Sequence, residues 1–118
     1  MSEYFLNSLR FLIDEFKFSS KKFKTVTYFR QSIHSYLLWI HVLEYHYSNR
    51  LVTSEQIADA LKHYASRKTV LTILNDAVKM GYFKKKKSTL DARVTHYSPT
   101  ELTIKEYEAW KQSLKDNI

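Results

Sequence analysis

The sequence contains no cysteine, one glycine and one proline among its 118 residues. Without cysteine the chain has no disulfide, no thiolate metal ligand and no cysteine nucleophile. A single glycine argues against the glycine-rich loops that hold phosphates in nucleotide-binding sites. Because residues that break helices are so few, the composition disfavours an all-β or loop-rich fold and predicts long helices.

Long uncharged apolar segments are also missing. No segment approaches the ~18 apolar residues that a membrane-spanning helix needs. Glu3, Arg10 and Asp14 interrupt the apolar N-terminal segment, which therefore does not have the form of a signal peptide. A cytoplasmic protein is expected, and the length and the hydrophobic fraction of 44% predict one folded domain over residues 1–118.

The positive charge of the chain is confined to one segment. Residues 60–93 hold nine Lys and Arg and two acidic residues, whereas the remainder holds ten basic and ten acidic residues. This segment therefore accounts for the whole formal net charge of +7. Such a distribution favours a surface that binds a polyanion, and a solvated lysine-rich face is the alternative.

Hydrophobic periodicity and turn signals divide the chain into helices and a short β-hairpin. The predicted elements, in chain order, are helices over 3–18 and 27–48, a strand at 51–52, helices over 54–62 and 67–80, strands over 82–88 and 92–97, and a final helix from 99. A polar loop is predicted at 19–22, a turn at 63–65 and a tight hairpin loop at 89–91.

Local signals mark three helix starts and one helix end. The segments Thr53–Gln56 and Ser98–Glu101 both have the S/T-x-x-E/Q pattern of a capping box, and Pro99 suits the first position of a helix. Ser66 is a favourable N-cap for the fourth helix. Gly81 follows that helix at the position where a positive φ is commonly required.

This order of elements predicts a winged helix-turn-helix, a mainly α fold with a small β wing and extra N- and C-terminal helices. Residues 1–50 would form the N-terminal helices, 51–98 the winged helix-turn-helix core and 99–118 the C-terminal helix. In such a fold the second helix of the pair fits the major groove of DNA, and the hairpin reaches the flanking backbone or minor groove.

Three stretches of this core resemble the MarR family of transcriptional regulators. Residues 53–61 look like the first helix of the family's helix-turn-helix. Residues 66–83 look like its recognition helix and close on the pattern K-M-G-Y. Asp91–Arg93 followed by Pro99–Glu101 is similar to the family's wing. The resemblance covers roughly residues 51–102 and implies a regulator that binds duplex DNA and performs no catalysis.

The resemblance also implies which residues bind DNA. These are Ser66 at a phosphate, Arg67, Lys68, Thr69 and Thr72 toward the bases, Lys84, Lys85, Lys86 and Lys87 toward phosphates, and Arg93 in the minor groove or on the backbone. An ion pair with Asp91 would orient Arg93. Because side chains alternate along a strand, two of the four lysines are expected to face DNA and two to face solvent.

The first, second and last helices carry more apolar side chains than one helix-turn-helix core can cover. The excess predicts a two-fold homodimer that forms through the terminal helices. The residues assigned to this interface are Phe5, Leu9, Phe16, Tyr107, Trp110 and Leu114. The aromatic residues Phe29, Tyr36 and Trp39 are expected in the core or in the same interface rather than around a cofactor.

No metal site, cofactor site or catalytic set is predicted. His41 and His46 lie five residues apart on one helix, whereas adjacent helical ligands need a spacing of three or four. Two alternative functions remain, namely a winged-helix module for an acidic protein partner and a nonspecific DNA- or RNA-binding protein. The charge on the recognition helix and the wing favours nucleic acid over protein.

Overall fold

The computed structural model describes the backbone of residues 2–117 and the side chains of residues 2–14, 22–113, 115 and 116. Its elements are α1 (Ser2–Lys22), α2 (Lys24–Phe29), α3 (Ile33–Tyr47), β1 (Val52–Thr53), α4 (Ser54–Ala60), α5 (Arg67–Lys79), β2 (Phe83–Lys87), β3 (Thr95–Pro99) and α6 (Glu101–Asn117). The predicted fold class, mainly α with a small β wing, is confirmed. Among the described residues, no helix is both long enough and apolar enough to cross a membrane.

The helix-turn-helix consists of α4, a turn and α5, and buried side chains hold the pair together. Ile57 and Leu61 from the first helix and its C-cap pack in the same core as Val70 and Leu74 of α5. The turn closes with the Tyr64 N–H, which donates to the Leu61 carbonyl at 2.8 Å. The apolar spacing of α5 therefore buries one face of this helix and leaves the opposite face to solvent.

Three of the predicted local signals are present. The Thr53 hydroxyl accepts from the Gln56 N–H at 3.2 Å, and the Gln56 side chain accepts from the Thr53 N–H at 2.8 Å, which completes a capping box. The side chain of Ser66 caps α5. Gly81 has a φ of +81°, a conformation that L side chains rarely adopt.

The wing is a three-stranded antiparallel sheet in the order β1-β3-β2. Its register pairs Phe83 with Pro99 and Lys85 with Tyr97, and Val52 lies on the other side of Tyr97. Phe83, Tyr97 and Val52 are all buried. One face of the sheet therefore packs against the helical core. The lysines of β2 follow Phe83 along the strand and are exposed.

Two helix predictions near the N-terminus are wrong. The polar loop expected at 19–22 is the end of α1, because serine and lysine do not stop a helix without a glycine or proline beside them. The helix expected over 27–48 is two helices that are separated at 30–32. Ser32 begins the second one, since its hydroxyl accepts from the Ser35 N–H at 3.1 Å.

The predictions for the hairpin and the last helix are displaced in the structure. The loop between the strands covers 88–94 rather than 89–91, and β3 runs on to Pro99. Pro99 therefore ends a strand, and the capping box predicted at Ser98–Glu101 is wrong. The Thr100 and Thr103 hydroxyls instead donate to the Tyr82 carbonyl, at 3.1 and 2.6 Å, and tie the start of α6 to the segment between α5 and β2.

An aromatic cluster joins the N-terminal helices to the wing and to α6. Phe29 stacks on Phe83, with ring centroids 4.9 Å apart, and lies beside Trp39, whose ring meets Trp110 at 5.7 Å. Phe29 and Trp39 are fully buried within the single chain, so they lie in the core, one of the two places predicted for them. Trp110, which was predicted to lie in a dimer interface, is wrongly assigned, because the core of a single chain already buries it.

Candidate nucleic-acid interface

The exposed face of α5 carries the predicted base-reading side chains. Val70, Leu74 and Ala77 are buried, so the other side of the helix is open. The residues that line a shallow groove of about 530 Å³ along that side are Arg67, Lys68, Leu71, Thr72, Asn75, Asp76 and Lys79. Three of the residues predicted to face the bases thus lie on one accessible surface. Asn75 and Lys79 also belong to this surface, and neither was predicted to face DNA.

Hydrogen bonds between Ser66 and Thr69 cap the start of α5. The Ser66 hydroxyl accepts from the Thr69 N–H at 3.1 Å and donates to the Thr69 hydroxyl at 3.0 Å. Thr69 is half-buried, so it lies at the edge of the exposed face rather than at its centre. The remaining amide groups of the first turn are left at the N-terminus of a 13-residue helix, where the helix dipole favours an anion.

Arg67 does not extend freely into solvent. Its Nε donates to Oε1 of Glu55 on α4 at 2.9 Å, and its Nη2 donates to the same oxygen. The hydrogen bond from Arg67 holds the pKa of the Glu55 carboxyl below its usual range, and the same bond raises the pKa of Arg67. Sequence reasoning missed this partner because twelve residues and a turn separate the two.

The four lysines of β2 alternate between the two faces of the wing. Lys85 and Lys87 share the face of Phe83 and Tyr97, whereas Lys84 and Lys86 point to the opposite face. All four side chains are exposed. The sheet therefore separates the predicted phosphate contacts into two pairs.

One of those faces is fixed to α5. The Tyr97 hydroxyl on β3 donates to Oδ1 of Asn75 on α5 at 3.3 Å. Burial raises the pKa of this phenol. Because Tyr97 is opposite Lys85 in the register, Lys85 and Lys87 belong to the face of the sheet from which a side chain reaches α5.

The wing loop holds Arg93 in the ion pair that the sequence predicted. Arg93 Nε donates to Oδ1 of Asp91 at 3.1 Å, and Nη2 donates to Oδ2 at 3.2 Å. The hydrogen bond from the guanidinium keeps the pKa of the Asp91 carboxyl below its usual range. The side chain of Arg93 is 92% exposed, so the guanidinium is oriented by Asp91 and still accessible to a ligand.

The part of the chain that the structure describes contains no group of three or more His, Asp or Glu side chains placed to hold a metal ion.

Comparison with known proteins gives a clear likeness of fold. No family model and no curated protein sequence matches the chain. Among solved structures, the Staphylococcus aureus MepR–DNA complex matches at a TM-score of 0.63 and 21% identity, over 92% of this chain and 82% of that one. Heme-free PefR matches at 0.56 and 16% identity, over 98% and 94%. The adhesin competence repressor AdcR of Streptococcus pyogenes matches at 0.53 and 21% identity, over 92% and 72%.

These neighbours are MarR-family regulators, so the chain has a MarR-like winged-helix fold. The resemblance predicted from three short stretches around the recognition helix and wing thus extends, as a likeness of fold, over more than nine-tenths of the chain.

Proposed function

We propose that this chain, with its MarR-like winged-helix fold, is a transcriptional regulator that binds duplex DNA sequence-specifically as a homodimer. The observation that carries the proposal is the placement of one basic surface on two elements. The exposed face of α5 carries Arg67, Lys68 and Lys79, and the wing adds Lys85 and Lys87 on the face tied to the same helix. This arrangement fits a helix in the major groove and a hairpin over the neighbouring backbone.

Two further observations support duplex DNA as the ligand. The charge of +7 comes entirely from residues 60–93, which contain α5, β2 and most of the wing loop, so the basic surface coincides with the elements that enter DNA in winged-helix proteins. The structure of S. aureus MepR, which has this fold, is a complex with DNA. Binding of an acidic protein, one of the two alternative functions, has no comparable support.

An uncovered apolar face supports the proposed homodimer. The apolar side chains of α1 that are about half exposed are Tyr4, Phe5, Leu6, Leu9, Leu12 and Ile13. A second apolar surface lies between α3 and α6, where Ile40, Leu43, Tyr47 and Tyr107 line an open groove of about 1010 Å³. Of the other residues assigned to the interface, the side chains of Phe16 and Leu114 lie outside the described residues. A self-complementary contact through the terminal helices would cover such a face.

Replacing Arg67 by alanine is expected to lower the affinity for the preferred DNA by about tenfold or more and to relax the preference at one base pair. The physical reason is the loss of a paired hydrogen-bond donor at a base edge. Electrophoretic or fluorescence titration against the preferred duplex and single-base variants measures both quantities. An unchanged ratio between preferred and random DNA would remove Arg67 as a base reader.

Replacing Lys85 and Lys87 by glutamine is expected to weaken binding to all sequences alike. Each lost phosphate contact reduces the magnitude of the negative slope of log K against log salt by about 0.9. In the double variant this magnitude should therefore fall by nearly two. The matched control replaces Lys84 and Lys86, which lie on the opposite face of β2 and should leave the slope close to that of the parent. Equal losses in both variants would contradict the assigned face.

A further inference from the structure

The contact between α4 and α5 leaves a defined part of the Arg67 guanidinium available. An arginine side chain has five N–H donors in a fixed planar fork. Glu55 takes the donors on one side of the fork, Nε and one hydrogen of Nη2. Among the residues that the structure describes, the end of the fork, formed by Nη1 and the other hydrogen of Nη2, meets no acceptor and can donate two parallel hydrogen bonds.

Those two donors match the edge of a guanine. In the major groove guanine presents O6 and N7, two acceptors that an arginine fork binds together. An exposed arginine without a partner must lose the freedom of a long side chain before it makes this contact. Glu55 has already removed much of that freedom, because it fixes the plane of the guanidinium above the first turn of the recognition helix.

We propose that Glu55 is the positioning residue for Arg67 and so determines the preference for guanine at the base pair that Arg67 meets. The inference rests on the proposed function, since it needs a sequence-specific DNA complex. Glu55 itself does not touch the base. It acts by holding the guanidinium with its end, rather than its side, turned away from α4.

The charge of Glu55 adds a second effect with the opposite sign. A carboxylate beside Arg67 reduces the local positive potential and so weakens the attraction to any phosphate. The ion pair joins two side chains that are each 63% exposed, so it contributes little to the stability of the fold. Glu55 therefore lowers the affinity for nonspecific DNA and increases the discrimination between bases. Its removal should raise the first quantity and lower the second.

The test compares Glu55→Gln with Asp59→Asn, both measured in the full chain. Asp59 lies on the same helix, is exposed and forms an ion pair with Lys62 Nζ at 3.7 Å, so its substitution removes one negative charge without touching the contact between Glu55 and Arg67. Selection from a random duplex pool gives the preferred site of the parent. Titration against that site, its single-base variants and random DNA then gives the affinity ratios, and thermal unfolding checks that both variants are folded.

Glu55→Gln is expected to lower the preference at the guanine position by about fivefold and to raise the affinity for random DNA. Asp59→Asn should raise the affinity for random DNA while keeping the preference. The inference is overturned, with the proposed function intact, if Glu55→Gln keeps the parental preference or strengthens binding to the preferred site alone, the behaviour of a carboxylate that competes with DNA. A parent that selects no site overturns both.

Discussion

Replacing Leu9 and Ile13 by aspartate is expected to convert a dimer into a monomer and to lower the affinity for an inverted-repeat site by about a hundredfold or more. The two side chains are 59% and 56% exposed and lie four residues apart on the apolar face of α1. Within a single chain they support no buried core, so the substitutions should leave the fold intact. In a dimer they would bury two charges from each protomer without partners.

The loss of DNA affinity follows from the geometry of a two-fold protein on two half-sites. When two recognition helices are linked, the second half-site is bound at a high effective concentration, and a monomer forfeits this gain. Sedimentation velocity and titration of the same samples measure both effects.

A matched control for this prediction uses two exposed polar residues of the same helix, α1. Asn7→Asp combined with Arg10→Gln changes the net charge by the same amount and should leave both the mass and the affinity near those of the parent. A parent that sediments as a monomer at every concentration would contradict the proposed homodimer.

Replacing Leu74 by alanine is expected to destabilise the fold by about 2–5 kcal/mol, a large part of the stability of a small domain. The side chain is fully buried in α5 and packs in the core shared with α4. The substitution therefore leaves a cavity behind the recognition helix. Denaturant unfolding followed by far-UV circular dichroism measures the difference in free energy of unfolding.

Leu90→Ala makes the same chemical change at a side chain that is 96% exposed in the wing loop. It should alter the free energy of unfolding by less than about 0.5 kcal/mol. Similar losses in the two variants would contradict the burial of α5 on which the orientation of its basic face depends.

The central part of the fold could be predicted from the sequence because its signals are local. The capping box at Thr53–Gln56, the N-cap at Ser66 and the positive φ at Gly81 each depend on a few neighbouring residues, and all three are present. Apolar spacing then identified the buried face of α5. The basic side chains lie on the opposite face of α5, which is therefore predicted to be exposed.

Two of the wrong predictions concern boundaries that tertiary contacts decide. Periodicity continues across residues 30–32, where the chain turns so that Phe29 can stack on Phe83. Pro99 suits a helix start, yet it pairs with Phe83 at the end of β3. In both places a long-range contact outweighs a local preference. Such a contact depends on the fold and cannot be recognised from local sequence patterns.

The candidate interface shows the same division. The charge distribution and the predicted order of elements are enough to indicate the basic residues of α5 and the wing. The partners of those residues depended on the fold: Glu55 reaches Arg67 from another helix, and Tyr97 reaches Asn75 from the sheet. Asp91 and Arg93 are two residues apart, and their ion pair was predicted.

Binding of the full chain to a random-sequence pool of duplex DNA, measured across a salt series with sequencing of the retained fraction, tests the proposed function most directly. We expect a steep loss of affinity with salt together with enrichment of an inverted repeat. Steep salt dependence without an enriched sequence would identify a nonspecific nucleic-acid-binding protein. Absence of binding at low salt would contradict duplex DNA as the ligand of the basic surface.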